Sequence, residues 1–178
     1  MQKLNLEIKA RCTDPEKIRS ALRAEGARFI GVDHQTDTYF KTAQGRLKLR
    51  EGNIERSLIY YARPEVQDIK RSEVVLYHPA GSADALRLTL QQALGVDVVV
   101  QKRREIYFID NVKFHIDEVK GLGTFVEIEA IRSEAHTTED DLRKQCRHYM
   151  DLLGIEEAAL IDRSYSDMIR SLGEGNSR

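Results

Sequence analysis

Charged and apolar residues alternate along the strand-like segment near the start of the chain. In NLEIKAR, residues 5–11, every second residue is apolar, and the residues around them are Asn5, Glu7, Lys9 and Arg11. Because successive side chains of a β-strand point to opposite faces, this segment predicts a strand with one apolar and one charged face. Four later segments repeat the alternation, at residues 46–51, 100–108, 112–119 and 124–130.

The periodicity of the whole chain predicts an α+β fold. Strands are predicted at residues 3–12, 37–42, 47–51, 56–63, 70–77, 98–109, 112–119 and 125–132. Helices are predicted between the N-cap Asp14 and Gly26, and at residues 82–94 (capped by Ser82), 138–153, 156–161 and 164–172. Short turn sequences separate neighbouring strands, which favours antiparallel hairpins. We expect one domain over residues 1–172 and a disordered tail at 173–178.

The charged faces are sorted by sign, which favours a closed sheet over a half-solvated one. A solvated face usually mixes signs, whereas Arg46, Lys48 and Arg50 are all basic. If helices cover the apolar face, about eight strands can close, or nearly close, into an antiparallel β-barrel with charged residues inside. For any one strand a solvated face is the simpler explanation, but the set as a whole predicts a charged tunnel.

The overall composition places limits on the partners of this chain. Its 178 residues carry 28 basic and 29 acidic side chains, a net charge of −1, so nothing global indicates binding to nucleic acid. No apolar run is long enough to span a bilayer, and no secretory signal is recognisable. Cys12 and Cys146 are isolated thiols, which are typical of a reducing compartment, so we expect a cytoplasmic protein.

The charges on the predicted inner faces indicate the ligand. Guanidinium and ammonium groups are natural partners of phosphate oxygens. The basic residues are Lys9, Arg11, Arg46, Lys48, Arg50, Lys102 and Arg104. Glu7, Asp117, Glu127 and Glu129 stand on the same faces and would repel phosphate unless they held a hard cation such as Mg²⁺ or Mn²⁺. The combination predicts a metal-bound polyphosphate, of which a triphosphate is the common case.

The ordered series of these segments resembles the CYTH superfamily of triphosphate tunnel metalloenzymes, and within it the class IV adenylyl cyclases. The segments are NLEIKAR, DTYFKTAQGRLKLRE, IYYARP, KRS, QKRREIYF, FHIDEVKGLGTFVEIEA and DRSYSDMI. The family signature ExExK corresponds to residues 5–9, where Glu7 and Lys9 match. Asn5 replaces the first glutamate and can offer a carbonyl oxygen to a metal but no charge.

The resemblance implies a role for each residue. The metal ligands would be Glu7, Asp117, Glu127 and Glu129, with Mg²⁺ or Mn²⁺ as cofactor. The triphosphate would be held by Lys9, Arg46, Arg50, Lys70, Lys102 and Arg104, with Arg11 and Lys48 added by their position on the strands. Glu7, Lys9, Arg104 and Glu129 would act in catalysis. The substrate would be ATP, thiamine triphosphate or tripolyphosphate, and family members are often homodimers.

Several alternatives stay open from the sequence. The reaction is either cyclisation of ATP to cyclic AMP and pyrophosphate, or hydrolysis of a triphosphate. Asn5 favours a third possibility, a non-catalytic protein that binds a nucleotide or polyphosphate. RNA binding by the basic strands is disfavoured by the acids beside them. Stacking on a base is open to Tyr39, Phe40, Tyr61 and Phe125, each of which fits a core position equally well. His115 is interpreted as a wall residue, and Asp37 as a turn or strand-start residue.

Overall fold

The computed structural model shows a closed antiparallel barrel of eight strands. It describes residues 2–62, 70–132 and 137–175, with side chains described for residues 5–62, 74–132 and 137–173. The strands are β1 (Gln2–Arg11), β2 (Arg28–Phe40), β3 (Arg46–Glu51), β4 (Arg56–Ala62), β5 (Lys70–Tyr77), β6 (Val96–Ile109), β7 (Val112–Val119) and β8 (Gly123–Ile131). They follow the order β1-β5-β4-β3-β2-β6-β7-β8 around the barrel, and β8 pairs with β1 to close it. The predicted α+β barrel is therefore confirmed.

Three helices pack outside the barrel: α1 (Pro15–Ala24), α2 (Asp84–Leu94) and α3 (Glu139–Leu152). The outward apolar residues of β1, β7 and β8 form the main core with α1 and α3, a cluster that includes Leu6, Phe114, Ile128, Leu22 and Leu142. This is the apolar half of the alternation, removed from water by the helices. The charged half consequently faces the interior of the barrel, which we call the lumen.

Of the two helix caps predicted from the sequence, Asp14 is confirmed and Ser82 is not. Asp14 accepts a bond from the backbone N–H of Lys17 and caps α1, and Thr138 forms a capping box with Asp141 at the start of α3. The N-cap of α2 is Ala83 rather than the predicted Ser82, and it makes no side-chain bond. The Ser82 hydroxyl instead bonds to Asp84 within the first turn.

The last helix, α4 (Tyr165–Gly175), closes one end of the barrel instead of packing on its outside. The Tyr165 hydroxyl donates to Asp117 Oδ2 over 2.8 Å, and Lys9 Nζ lies 4.2 Å from the centre of its ring. Arg46 donates to Ser164 over 2.5 Å and binds Asp167 over 2.9 Å. Polar bonds to the barrel therefore hold the start of α4 against its interior.

Other element boundaries also differ from the prediction. β2 begins at Arg28, nine residues before the predicted start at residue 37. α4 continues to Gly175, so residues 173–175 are helical rather than part of a tail; residues 176–178 lie outside the described residues. The segment predicted as a helix at 156–161 is a single 3-10 turn over Glu157–Ala159. Within the described part of the chain, no helix is long and apolar enough to cross a membrane.

Candidate functional site

The lumen contains a cavity of about 580 Å³, which falls in the usual range for small-molecule sites. Eight residues named from the sequence as site residues line it: Glu7, Lys9, Lys48, Arg50, Lys102, Arg104, Glu127 and Glu129. Ser164 and Tyr165 line the end that α4 closes, whereas Ile54 and Arg56 are exposed at the other end. The cavity is therefore blocked by α4 on one side and accessible on the other.

A buried ion cluster around Arg104 occupies the part of the barrel near α4. Arg104 Nε and Nη2 donate to the two carboxylate oxygens of Asp117 over 2.6 and 2.5 Å, and Nη2 also donates to Glu127 over 2.6 Å. Lys9 Nζ lies 3.1 Å from Glu127, and His115 Nδ1 lies 3.1 Å from it on the other side. Burial alone would raise the pKa of Glu127, but Arg104 and Lys9 outweigh it and hold that pKa well below its usual value.

A second cluster is centred on Asp37, a residue that was interpreted as a turn or strand-start residue. That interpretation was wrong, since Asp37 is 1% exposed and lies in the middle of the pairing of β2. Its carboxylate accepts from Lys48 over 2.8 Å, from Arg50 over 2.8 and 2.9 Å, and from Lys102 over 3.0 Å. The charges of these three cations outweigh the effect of burial and keep the pKa of Asp37 well below its usual value.

The lowered pKa of Lys102 makes a testable prediction about ligand binding at this second cluster. Burial lowers the pKa of Lys102 to about 7, against the opposing charge of Asp37. An anionic ligand favours the charged ammonium, so we expect tripolyphosphate affinity to fall by up to about tenfold per pH unit above pH 7. Calorimetry from pH 6 to pH 9 measures the slope, and buffers of different ionisation enthalpy should report proton uptake on binding at pH 8. Lys102→Arg, which keeps its charge, should flatten the slope; equal slopes in the two proteins would contradict the assignment.

Asn5, Glu7 and Glu129 form a third group on the accessible side of the Arg104 cluster. Glu7 and Glu129 are directly opposed on β1 and β8, and Lys9 Nζ lies 3.9 Å from Glu7. Directly opposed like charges destabilise a sheet, and a cation bound between the two carboxylates would remove their repulsion. Asn5 Nδ2 donates to Glu129 over 2.6 Å, and its buried Oδ1 finds no hydrogen-bond partner among the described side chains. Two carboxylates and an amide oxygen are ligands that Mg²⁺ and Mn²⁺ accept, so this group fits one hard cation.

The four predicted metal ligands are therefore divided between two places. Asp117 is 0% exposed and bonded to Arg104 and Tyr165, and Glu127 is bonded to Arg104, Lys9 and His115. Among the described side chains, no three of the His, Cys, Asp and Glu type are arranged to hold a metal ion. The residues that fit a cation are Glu7 and Glu129, completed by Asn5.

Of the predicted phosphate-binding residues with described side chains, two do not line the cavity, Arg46 and Arg11. Arg46 contacts Ser164, Ser166 and Asp167 at the start of α4. Arg11 is exposed at the barrel end and donates to the carbonyl of Leu122. Lys70 pairs with Glu7 through the backbone, but its side chain lies outside the described side chains. The roles of these residues toward a triphosphate stay predictions.

Two further charged residues line the lumen, Glu55 and Lys113, and neither was assigned to the site from the sequence. Glu55 binds Arg50 over 2.9 Å and also forms an ion pair with Lys113. Lys113 is on β7, two positions before His115, so its inward direction follows from the alternation that marked His115 and Asp117. Glu55 follows β3 in a turn, where no periodicity indicates the direction of a side chain. Of the aromatic candidates, Tyr39 and Tyr61 line the cavity, Phe40 packs in the core beside α2, and Phe125 packs on Tyr165.

Comparisons with known proteins place this geometry in context. The sequence model of the CYTH domain family matches residues 3–165 of this chain. The chain is 26% identical over 176 residues to the candidate adenylate cyclase MJ0240 of Methanocaldococcus jannaschii, covering 93% of this chain and 98% of that protein. It is 28% identical over 173 residues to adenylate cyclase CyaB of Aeromonas hydrophila, covering 92% and 87%. The chain also shares its fold with the candidate adenylyl cyclase HpAC1 from Hippeastrum, which is described as having a dominant triphosphatase activity. The two chains are 15% identical, and their TM-score is 0.62 over 96% of each.

Proposed function

Because this chain belongs to the CYTH domain family, we propose that it is a metal-dependent enzyme acting on a triphosphate bound in the lumen. The observation that carries the proposal is the lining of one cavity by Lys9, Lys102 and Arg104 together with the opposed pair Glu7 and Glu129. Basic side chains suit phosphate oxygens, and the paired carboxylates suit a hard cation that accompanies them. Mg²⁺ and Mn²⁺ are the proposed cofactors.

The first candidate reaction is cyclisation of ATP, which the two adenylate cyclase relatives favour. In that reaction the ribose 3′-oxygen bonds to the α-phosphorus, the bond from the α-phosphorus to the bridging oxygen breaks, and pyrophosphate leaves. Lys9, Lys102 and Arg104 would orient the phosphates and stabilise the charge that develops on the leaving group. Asn5, Glu7 and Glu129 would hold the cation, which when bound lowers the pKa of the attacking hydroxyl.

The second candidate reaction is hydrolysis of a triphosphate, in which water attacks the terminal phosphorus. The activity described for the Hippeastrum protein favours it, because a barrel of this fold supports that chemistry. The same basic side chains would bind the same phosphates, and the two reactions differ in which phosphorus faces the nucleophile. No dedicated covalent nucleophile is needed in either case, because positioning and charge neutralisation supply most of the catalysis.

The test is to incubate the purified protein with ATP, tripolyphosphate and thiamine triphosphate in Mg²⁺ or Mn²⁺ and to separate the products by chromatography. Cyclic AMP with pyrophosphate would identify a cyclase, and orthophosphate would identify a triphosphatase together with its substrate. Binding without any product would overturn the proposed enzyme in favour of a non-catalytic triphosphate sensor. Absence of both binding and product would overturn the proposed site itself.

We further propose a cytoplasmic location, which the two free cysteines support. The homodimer implied by the family resemblance stays a prediction.

A further inference from the structure

Two of the ammonium groups that line the lumen lie over the same aromatic ring, which belongs to α4. Lys9 Nζ is 4.2 Å from the centre of the Tyr165 ring, and Lys102 Nζ is 5.9 Å from it. At both distances the face of an aromatic ring attracts a cation. The two lysines come from β1 and β6, which β7 and β8 separate in the strand order. A residue outside the barrel wall therefore joins two cations from separate parts of that wall.

The hydroxyl of Tyr165 fixes the orientation of the ring. It donates to Asp117 Oδ2 over 2.8 Å, and the two oxygens of that carboxylate also accept from Arg104. Burial and the negative charges of Asp117 and Glu127 raise the pKa of Tyr165 well above its usual value, so the hydroxyl keeps the proton that it donates. Phe125 packs against the ring, with 5.0 Å between the ring centres. Residues of the barrel thus hold the ring in place.

A fixed ring reduces the cost of ordering the two lysines. A lysine side chain has many rotamers, and a phosphate that binds its ammonium group must overcome the loss of this conformational freedom. Lys9 and Lys102 are each 6% exposed. Besides the ring, Lys9 contacts Glu127 over 3.1 Å, and Lys102 contacts Asp37 over 3.0 Å. Each ammonium group is therefore held by a carboxylate and the ring, so most of its ordering occurs on folding rather than on binding.

We propose that Tyr165 is a positioning residue for the phosphate-binding lysines, which acts through its aromatic ring. The proposal rests on the proposed function, since it takes Lys9 and Lys102 to hold phosphates. Donors that are already in position stabilise the charge of a ligand without a cost of rearrangement. The docked helix α4 thereby contributes to phosphate binding. A tyrosine that served only the core would affect the stability of the protein but not its affinity for phosphates.

The experiment measures the binding of tripolyphosphate and of ATP to the full chain by calorimetry, with Ca²⁺ in place of Mg²⁺ to slow turnover. Tyr165→Leu removes the ring and should weaken both ligands by about tenfold, because the ring acts on the groups that bind their shared phosphates. Tyr165→Phe keeps the ring and should bind both within about twofold of the wild-type protein. Its lost hydrogen bond to Asp117 should appear instead as a lower midpoint of thermal unfolding.

Met168→Ala is the matched control for damage to the packing of α4. Met168 is 9% exposed and belongs to the same apolar cluster as Tyr165. Loss of its side chain should lower the midpoint of thermal unfolding and leave both affinities unchanged. A measurement without ligand checks the geometry: in NMR spectra the ring should shift the ε protons of Lys9 upfield in the wild-type protein and in Tyr165→Phe, but not in Tyr165→Leu.

The outcomes separate this inference from the proposed function. The inference is overturned, while the phosphate site stands, if Tyr165→Leu binds both ligands as tightly as the wild-type protein. The same holds if Tyr165→Phe or Met168→Ala loses as much affinity as Tyr165→Leu, or if only ATP is weakened, which would indicate contact with the adenosine. Absence of the Lys9 shift in the wild-type protein also overturns it. If that shift is present but the wild-type protein binds neither ligand, the proposed function fails, and the inference fails with it.

Discussion

Replacing Asp37 by alanine should lower the free energy of unfolding by about 3–5 kcal/mol, because it leaves buried cations without their counter-ion. Lys102 and Lys48 contact the Asp37 carboxylate, and Arg50 binds it through two nitrogens. The depressed pKa of Asp37 also means that its contribution is present above the ordinary carboxyl pKa and is lost as the pH falls below it. Urea denaturation of the two proteins at neutral pH measures the difference.

Asp97→Ala is the matched control for this prediction. Asp97 also forms an ion pair with an arginine, Arg170 of α4, but its side chain is 32% exposed. Exposed pairs contribute little, so we expect a loss below about 1 kcal/mol. Added tripolyphosphate should stabilise Asp37→Ala more than the wild-type protein, because the anion can replace the missing carboxylate. A variant that loses stability but shows no larger response to tripolyphosphate would indicate that Asp37 contributes packing rather than charge.

The inward position of Asp37 could not be predicted from the sequence. The alternation of β1, β3, β6, β7 and β8 predicted the barrel and most of its inner charges, because a strict period of two determines the direction of each side chain. β2 breaks that pattern: its first half contains Gly31 at φ 147° and a register shift between Phe29 and Gly31. With β2 predicted to begin at Asp37, the inward positions of Asp33 and Gln35 were not recognised, and Asp37 was read as a terminal residue.

The docking site of α4 could not be predicted from the sequence for a different reason. Its sequence predicts a helix but not its docking site, which depends on contacts between residues far apart in the chain. Arg46 meets Asp167 and Lys9 meets Tyr165 only after the barrel has closed. For the same reason the family resemblance and the inward face of its strand assigned Arg46 to the triphosphate, whereas the structure places its guanidinium against Ser164 and Asp167. Periodicity predicts on which face of a strand a side chain lies, whereas tertiary packing determines which residues that side chain contacts.

The two glutamates of β8, which the family resemblance assigns alike as metal ligands, should behave differently when replaced by alanine. Glu127→Ala removes the partner of Lys9 and Arg104 from a buried cluster, so we expect a loss of about 3–5 kcal/mol in unfolding free energy. Glu129→Ala removes one of two opposed carboxylates, so the fold should keep its stability. Under the proposed function, Glu129→Ala should weaken Mn²⁺ binding at least tenfold and reduce turnover at least a hundredfold, because only Glu7 and Asn5 are left at the proposed cation site.

Calorimetric titration with Mn²⁺ in the absence of substrate, combined with urea denaturation, separates these two effects. Asn5→Asp tests the same site from the opposite direction: a carboxylate in place of the amide adds a charge beside Glu7 and Glu129, so Mn²⁺ affinity should rise while the unliganded fold becomes less stable. If Glu129→Ala binds Mn²⁺ as well as the wild-type protein, the cation does not lie between β1 and β8. If Glu129→Ala instead unfolds as readily as Glu127→Ala, the opposed pair serves the fold, and the repulsion inferred from its geometry is absent.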